Sequence, residues 1–103
     1  MSEEECIFCR IISREEPADI FLESDEYISF DNSYSRHYHD KIIIPKKDIK
    51  DIEKIINSES YFRFVQDVED KIKEIYDAEN TEINIYNSEQ LNHIYIQIIP
   101  HYI

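Results

Sequence analysis

The segment of residues 93–98 alternates strictly between two kinds of side chain, and Ile99 follows it. His93, Tyr95 and Gln97 occupy every second position, and isoleucines occupy the positions between them. Because successive side chains of a β-strand point to opposite faces of the sheet, this alternation predicts a strand. One face of that strand carries three polar side chains in a row, while the other is suited to a hydrophobic core.

The remaining pattern predicts an α+β meander. β-Branched or alternating runs predict strands at residues 20–22, 27–30, 42–44 and 83–87, with a turn at 24–25 between the first two. Apolar residues at helical spacing predict helices at 11–16, at 49–56 opened by Asp48, and at 61–76 capped by Ser58 or Ser60. With residues 93–99, this gives about five strands, one long helix and one or two short ones, in a single domain spanning 1–103.

Charge and glycine content limit the possible partners and sites. Twenty-three acidic residues face eleven basic ones, which gives a net charge of −12. Such a surface repels phosphate backbones, so nucleic acid is not an expected partner, whereas a basic protein would be attracted. Glycine is absent, which excludes a P-loop or a GxGxxG turn. Any position with positive φ is therefore expected to use Asn, Asp or Ser.

The first residues of the chain indicate the cellular compartment in which the protein is expected. Residues 1–5 contain neither the basic nor the apolar segment of a signal peptide, and no apolar run reaches membrane-spanning length. We therefore expect a cytoplasmic protein that has no membrane partner. In a reducing compartment, Cys6 and Cys9 are more suited to metal binding or redox chemistry than to a structural disulfide.

Cys6 and Cys9 form a CxxC motif, whose spacing allows both sulfurs to reach one tetrahedral zinc ion. A redox pair and two unrelated cysteines are the alternatives. A zinc site needs further ligands from downstream, and the candidates are His37, His39, Asp48, His93 and His101.

Three segments together resemble one protein family. The HIYIQII run is similar to the signature His-φ-His-φ-His-φ-φ of the histidine-triad (HIT) family, where φ is apolar. The CIFC opening and the IIIPKK strand end are also similar to HIT proteins, in the same order along the chain. The resemblance implies a five-stranded antiparallel sheet, usually joined to a second copy in a homodimer. It also implies nucleotidyl hydrolysis or transfer, in which the middle histidine forms a covalent intermediate.

Carried over residue by residue, the resemblance assigns the triad positions to His93, Tyr95 and Gln97. Only the first position keeps its histidine, although a related transferase branch also has glutamine at the third. In zinc-binding members, the first triad histidine and a histidine after the strand-ending proline join the CxxC. The implied zinc ligands here are Cys6, Cys9, His93 and Asp48, and His37 or His39 could replace Asp48.

The implied nucleotide site also departs from the family. Asn32 stands where the family has a ribose-contacting aspartate. The phosphate loop before His93 is about half the family's length and has no glycine. The residues left there that could donate hydrogen bonds to a small nucleotide are Asn87, Ser88 and Gln90.

Tyr95 decides what function this sequence predicts. Imidazole is nucleophilic when neutral at pH 7, whereas a phenol has a pKa near 10 and needs an activating base. We therefore predict a catalytically degenerate HIT fold, stabilised by zinc, that serves as a protein-interaction or nucleotide-binding module. The alternative is an active nucleotide hydrolase or nucleotidyl transferase with altered chemistry at Tyr95.

Overall fold

The computed structural model describes residues 7–32, 39–47, 51–88 and 93–102, which contain three helices and five strands. In chain order they are α1 (Ile7–Ile12), β1 (Ile20–Glu23), β2 (Tyr27–Asp31), β3 (Lys41–Pro45), α2 (Ile52–Ile56), α3 (Glu59–Tyr76), β4 (Asn80–Ser88) and β5 (His93–His101). The strands form one antiparallel five-stranded sheet in the order β1-β2-β3-β5-β4. The predicted α+β class, the strand number and the long helix are confirmed.

The centre of the sheet is β3, as its β-branched run predicts. Every residue of β3 is buried. It pairs with β2 on one side and with β5 on the other, where Ile42 lies opposite Gln97. The polar face of β5 therefore lies near the middle of the sheet rather than at an edge.

The isoleucine face of β5 forms the larger core of the protein. Ile94, Ile96 and Ile98 are fully buried, and they pack in one cluster with Val68 and Ile72 of α3. The apolar stripe of α3 and the isoleucines of β5 thus cover each other, as the helical and strand periodicities predict. None of the helices in the described residues is long and apolar enough to cross a membrane.

The opposite face of the sheet is covered by the short helix α1. Phe8 and Ile11 pack in a second cluster with Phe30, Ile42 and Ile44, and Tyr95 lies against it. This core is smaller than the one under α3. The second layer brings Cys9, on α1, close to the polar face of β5.

The predicted position of the first helix, 11–16, is wrong. α1 covers Ile7–Ile12 and ends before Arg14, whose φ of 70° lies in the left-handed region. The backbone N–H groups of Glu15 and Glu16 then both donate to the Arg10 carbonyl and close the end of the helix. The sequence pattern missed this because Pro17 marks the end of the loop rather than the end of the helix.

Asp51, and not Asp48 as predicted, begins the second helix. α2 starts at Ile52, and the Asp51 side chain accepts a hydrogen bond from the Glu53 backbone N–H at 3.0 Å. Asp48 itself lies outside the described residues. Ser58 occupies the N-cap position of α3 as predicted, although its side chain makes no capping hydrogen bond.

Among the residues that the structure describes, three have positive φ: one is of an expected type and two are not. Asp77 ends α3 in the left-handed conformation, with φ 57°, where glycine is common in other proteins. Arg14 and His39 also have positive φ, at 70° and 63°. The prediction that Asn, Asp or Ser would fill such positions is therefore only partly confirmed.

A buried lysine joins the ends of β2 and β3 to α3. The Lys41 side chain is 1 % exposed, and its ammonium donates to Asp31 Oδ1 at 2.6 Å and to the Tyr76 hydroxyl at 2.8 Å. The same ammonium lies 4.5 Å from the ring centroid of Phe21 and 4.6 Å from that of Tyr76. These contacts fix the strand ends next to Asn32 and Asp40, which belong to the candidate site.

Candidate functional site

The pairing of β4 with β5 determines which side chains lie beside the polar residues of β5. Tyr86 lies opposite Tyr95, and Asn84 lies opposite Gln97. Since directly opposed residues of an antiparallel pair share a face, these side chains lie on the side of the sheet that α1 covers. The structure therefore brings Tyr95, Gln97 and His93 together with the residue Cys9 of α1.

Tyr95 is held in an aromatic stack. Its ring stacks on Tyr86, with centroids 5.0 Å apart and planes 26° apart, and it lies 5.3 Å from the ring of Phe8. Burial raises the pKa of the Tyr95 hydroxyl above its ordinary value, and the neighbouring Tyr86 raises it further. A phenol nucleophile needs the opposite shift, so this environment favours a neutral hydroxyl.

Both ring nitrogens of His93 are already engaged. His93 is 3 % exposed, and its Nε2 lies 3.3 Å from the Pro45 carbonyl oxygen. Because a carbonyl oxygen only accepts, Nε2 carries the hydrogen and donates. Nδ1 faces the Cys9 sulfur at 3.6 Å. His93 therefore has no ring nitrogen with which to act as a base for Tyr95.

The Cys9–His93 pair fits two neighbouring positions of a zinc site. Zn–S and Zn–N bonds of about 2.3 and 2.0–2.1 Å at a tetrahedral angle place the two ligand atoms about 3.6 Å apart. The Cys9 sulfur and His93 Nδ1 are 3.6 Å apart. The hydrogen bond from Nε2 to Pro45 fixes the ring in the orientation that leaves Nδ1 available to a metal.

The other implied zinc ligands are not tested by the geometry. Cys6, Asp48 and His37 lie outside the described residues. Within the residues described, no group of three or more metal-binding side chains is found. His39 is described, and its ring stacks on Tyr76 at a centroid distance of 3.9 Å, on the α3 side of the sheet. That contact places His39 on the opposite side of the sheet from Cys9.

Gln97 belongs to a network of two amides around a buried carboxylate. Asp40 is 2 % exposed, and its Oδ2 accepts from Gln97 Nε2 at 2.9 Å and from Asn32 Nδ2 at 3.2 Å. The Tyr86 hydroxyl donates to Gln97 Oε1 at 3.4 Å. Asp40 therefore joins two predicted site residues, Asn32 and Gln97, that are distant in the sequence.

A pocket of about 290 Å³ opens between α1 and the sheet. Its lining is mainly apolar and aromatic, and it includes Phe8, Ile11, Phe30, Ile42, Asn32 and Tyr95. Glu16 and Asp31 also line it. The volume is close to the lower limit of the range typical of small-molecule sites, about 300–1,000 Å³. This pocket is the candidate binding site.

The predicted nucleotide-binding residues at the end of β4 fall in different places. Asn87 pairs with Ile94, which faces α3, so the register places Asn87 on the side of the sheet away from Tyr95. Ser88 pairs with His93 in the backbone register. Gln90 lies outside the described residues. Asn32, the remaining predicted nucleotide-binding residue, lines the pocket.

Several residues of the site were not predicted from the sequence. Asp40, Phe8, Phe30 and Tyr86 belong to the site, although the sequence pattern assigns none of them to it. Asp40 could have been noticed because it directly precedes the buried run of β3, where a charged residue is costly unless it is hydrogen-bonded. A cross-strand partner such as Tyr86 can be identified only when the register of the two strands is known, and a single sequence does not give that register.

Comparison with known proteins identifies the family. The family model described as "Scavenger mRNA decapping enzyme C-term binding" matches residues 5–102. An uncharacterized HIT-like protein of Methanocaldococcus jannaschii is 26 % identical over 103 residues, covering 94 % of this chain and 79 % of the relative. This chain belongs to the HIT family.

Solved structures show the same fold. A HIT-family protein from Bacillus subtilis aligns with a TM-score of 0.81 at 23 % identity, covering 94 % of this HIT domain and 73 % of its own chain. A histidine-triad family protein from Mycobacterium smegmatis, described as zinc-bound, aligns with a TM-score of 0.73 at 18 % identity, covering 96 % and 76 %. The resemblance stated from the sequence is therefore confirmed for both family and fold.

Proposed function

We propose that this HIT domain is a catalytically degenerate, zinc-stabilised module that binds ligands without cleaving them. The observation that carries the proposal is the state of Tyr95. At the position of the family's nucleophile there is a phenol whose pKa is raised by burial and whose ring is stacked on Tyr86. The neighbouring His93 has both ring nitrogens engaged by Cys9 and Pro45.

A working nucleotidyl transfer needs a nucleophile that attacks at neutral pH and then leaves. A neutral phenol attacks poorly, and the aryl phosphodiester it would form is more stable than a phosphoramidate. Gln97 also offers no acid or base, and its amide hydrogen bonds with Asp40 and Tyr86. A pocket is nevertheless present beside Tyr95, and this supports a domain that binds a ligand but does not catalyse nucleotidyl transfer.

Turnover of a dinucleoside polyphosphate tests this proposal. We expect no product above the uncatalysed rate from the purified protein, and the same result from Tyr95→Phe. Tyr95→His is expected to restore little activity, because the shortened phosphate loop is not repaired. Clear turnover by the unmodified protein that is lost in a folded Tyr95→Phe variant would instead support the alternative, an enzyme with altered chemistry at Tyr95.

The zinc part of the proposal rests on Cys9 and His93, with Cys6 and Asp48 as further ligands. Cys6 and Asp48 each lie three residues from groups of the site, Cys9 and Pro45, so the chain keeps each within about 11 Å of them. The Mycobacterium smegmatis relative described as zinc-bound has the same fold. When bound, zinc would tie α1 to β5 and so stabilise the wall of the pocket.

Metal content and cobalt substitution test this site. We expect about one zinc per chain by elemental analysis, and a Co²⁺ form with the sulfur-to-metal absorption of thiolate ligands. His93→Ala and Cys9→Ser should both lose the metal, whereas the matched control His39→Ala should keep it. Full zinc content in His93→Ala, or loss of zinc only in His39→Ala, would show that the ligand set is wrong.

We further propose that the domain forms a homodimer through β4. This strand is an edge of the described sheet, and its residues Ile83 and Tyr86 are 40 % and 41 % exposed. Exposed edge strands of this length are normally covered or paired. Sedimentation should give a dimer that dissociates in Ile83→Lys, while Ile75→Lys, on the exposed side of α3, remains dimeric. A monomer at all concentrations would contradict this.

A further inference from the structure

In the described residues, side chains rather than backbone hydrogen bonds hold the short helix α1 against the sheet. The buried side chains of α1 are Phe8 and Ile11. They pack in one cluster with Phe30, Ile42 and Ile44 of the sheet. A helix of six residues is unstable alone in water, because ordering its backbone costs more entropy than its few hydrogen bonds offset. The position of α1 therefore depends on these side-chain contacts with the sheet.

The two ends of α1 are attached in different ways. Just after its C-terminal end, the Arg14 guanidinium donates to both carboxylate oxygens of Glu23 in β1, at 2.7 Å each. Arg14 also has the positive φ that ends the helix. Nearer the N-terminal end, the Cys9 sulfur lies 3.6 Å from Nδ1 of His93 in β5. The helix is thus anchored to an edge strand at one end and meets the proposed zinc site towards the other.

Phe8 contacts both the metal-binding pair and the candidate pocket. Its ring is edge-on to His93, with centroids 5.8 Å apart and planes 74° apart. The same ring lies 5.3 Å from the ring of Tyr95 and 6.0 Å from that of Phe30, and it lines the pocket from the α1 side. Cys9 is the next residue along the chain. One helix therefore carries both a proposed metal ligand and a wall of the pocket, so the two move together.

We propose that α1 is a metal-controlled strap: with zinc bound at Cys9 and His93 it closes over the sheet, and without zinc it lifts about Arg14 and opens the pocket to solvent. Phe8 is the positioning residue, because its burial against the sheet places Cys9 opposite His93. Tyr95, on the wall that faces α1, is then covered or uncovered according to the metal content of the site.

Closure of the strap and metal binding form one equilibrium. Any contact that favours the closed position raises the affinity for zinc, and zinc binding favours closure by the same factor. Ligand binding in the pocket consequently responds to the availability of zinc. This inference rests on the zinc part of the proposed function, and it names the regulation of the same site.

Hydrogen exchange measured by mass spectrometry tests the strap. Backbone amides of α1 exchange when the helix lifts, whereas those of α3 exchange only when the larger core opens. When a chelator removes zinc, we expect exchange in α1 to become at least about tenfold faster, with no change in α3 and full recovery when zinc is returned. Cys9→Ser should show the fast exchange with or without zinc. His39→Ala, on the other side of the sheet, should behave like the unmodified protein.

Phe8→Ala tests the coupling between packing and metal binding. The variant keeps every proposed ligand, yet it should bind zinc about tenfold more weakly, because closure no longer buries the ring. Competition with a chromophoric chelator measures the affinity. Phe62→Ala makes the same change at a ring that is 59 % exposed on α3 and should leave the zinc affinity unchanged. Phe8→Leu, which keeps part of the apolar surface, should recover part of the loss and serves as the test if Phe8→Ala does not fold.

The possible outcomes separate this inference from the proposed function. One zinc per chain, with equal exchange in α1 whether or not zinc is present, overturns the strap and leaves the proposed zinc site standing. Faster exchange spread evenly over α1 and α3 also overturns the strap, since zinc then stabilises the whole domain. Equal zinc affinities in Phe8→Ala and Phe62→Ala remove Phe8 from its positioning role. A protein that binds no zinc overturns both the strap and the zinc part of the proposed function.

Discussion

The two faces of the sheet differ in the side chains that they carry and in how these side chains are held. Under α3, isoleucines of β5 that are fully buried pack against a helix stripe of aromatic and aliphatic side chains. Under α1, the same strand presents His93, Tyr95 and Gln97, each held by specific partners, and Tyr95 lines a pocket. Alternate residues of β5 therefore serve the core and the candidate site. Substitutions at neighbouring positions should accordingly affect stability in one case and binding in the other.

Substitutions on the α3 face should change the stability of the protein most. Ile96→Ala removes a fully buried side chain from a closely packed cluster and should lower the free energy of unfolding by about 2–5 kcal/mol. Ile75→Ala, at a position 52 % exposed, is the matched control and should cost less than about 1 kcal/mol. Denaturant unfolding measures both. Equal losses would mean that the α3 face is not the main core.

Metal removal should affect the α1 face next. If zinc joins α1 to β5, free zinc at a hundredfold excess over its Kd adds about 2.7 kcal/mol of stability. A chelator should therefore lower the melting temperature of the unmodified protein and leave that of Cys9→Ser unchanged. An equal drop in both would show that the chelator acts elsewhere, and no drop in either would contradict the zinc bridge.

Two substitutions test the contribution of the buried Lys41 and its partner Asp31 to stability. Asp31→Asn leaves the buried Lys41 ammonium without its charged partner and should cost about 1–2 kcal/mol, reduced because the Asp31 side chain is 45 % exposed. Lys41→Met removes the buried charge itself and should cost less than Asp31→Asn. Thermal unfolding ranks the two. The reverse order would mean that the ammonium's contacts with Phe21 and Tyr76 matter more than its charge.

The smallest effect is the pH response of Tyr95. Burial raises its pKa in the folded protein, so its contribution to stability is fully present below the unfolded pKa near 10 and is lost as pH rises through the folded pKa. Tyr95→Phe should therefore slightly flatten the fall in stability above pH 10. At pH 7 it should change stability by less than about 1 kcal/mol. Ultraviolet titration should show one fewer late-ionising tyrosine in this variant.

The periodic elements were predictable, because alternation and helical spacing reflect which side chains must be buried. The isoleucine face of β5, the buried run of β3 and the stripe of α3 all follow from that rule. The short helix α1 was placed wrongly because its end depends on the left-handed Arg14, a residue type that rarely signals such a turn.

The candidate site was only partly predictable. The positions of Tyr95, Gln97 and His93 followed from one strand and a family resemblance. The Asp40 network depends on β2, β3 and β5 meeting at one end of the sheet, which no local pattern reveals.

Ligand binding at the α1 face is proposed to form no covalent bond between ligand and protein. Intact-protein mass spectrometry after incubation of the zinc-loaded domain with a dinucleoside polyphosphate is the decisive test of this claim. We predict an unchanged mass at all times and no released nucleotide. A mass increase of one nucleotidyl group, located at Tyr95 and absent from Tyr95→Phe, would contradict the claim and show that the phenol has replaced the family's nucleophilic histidine.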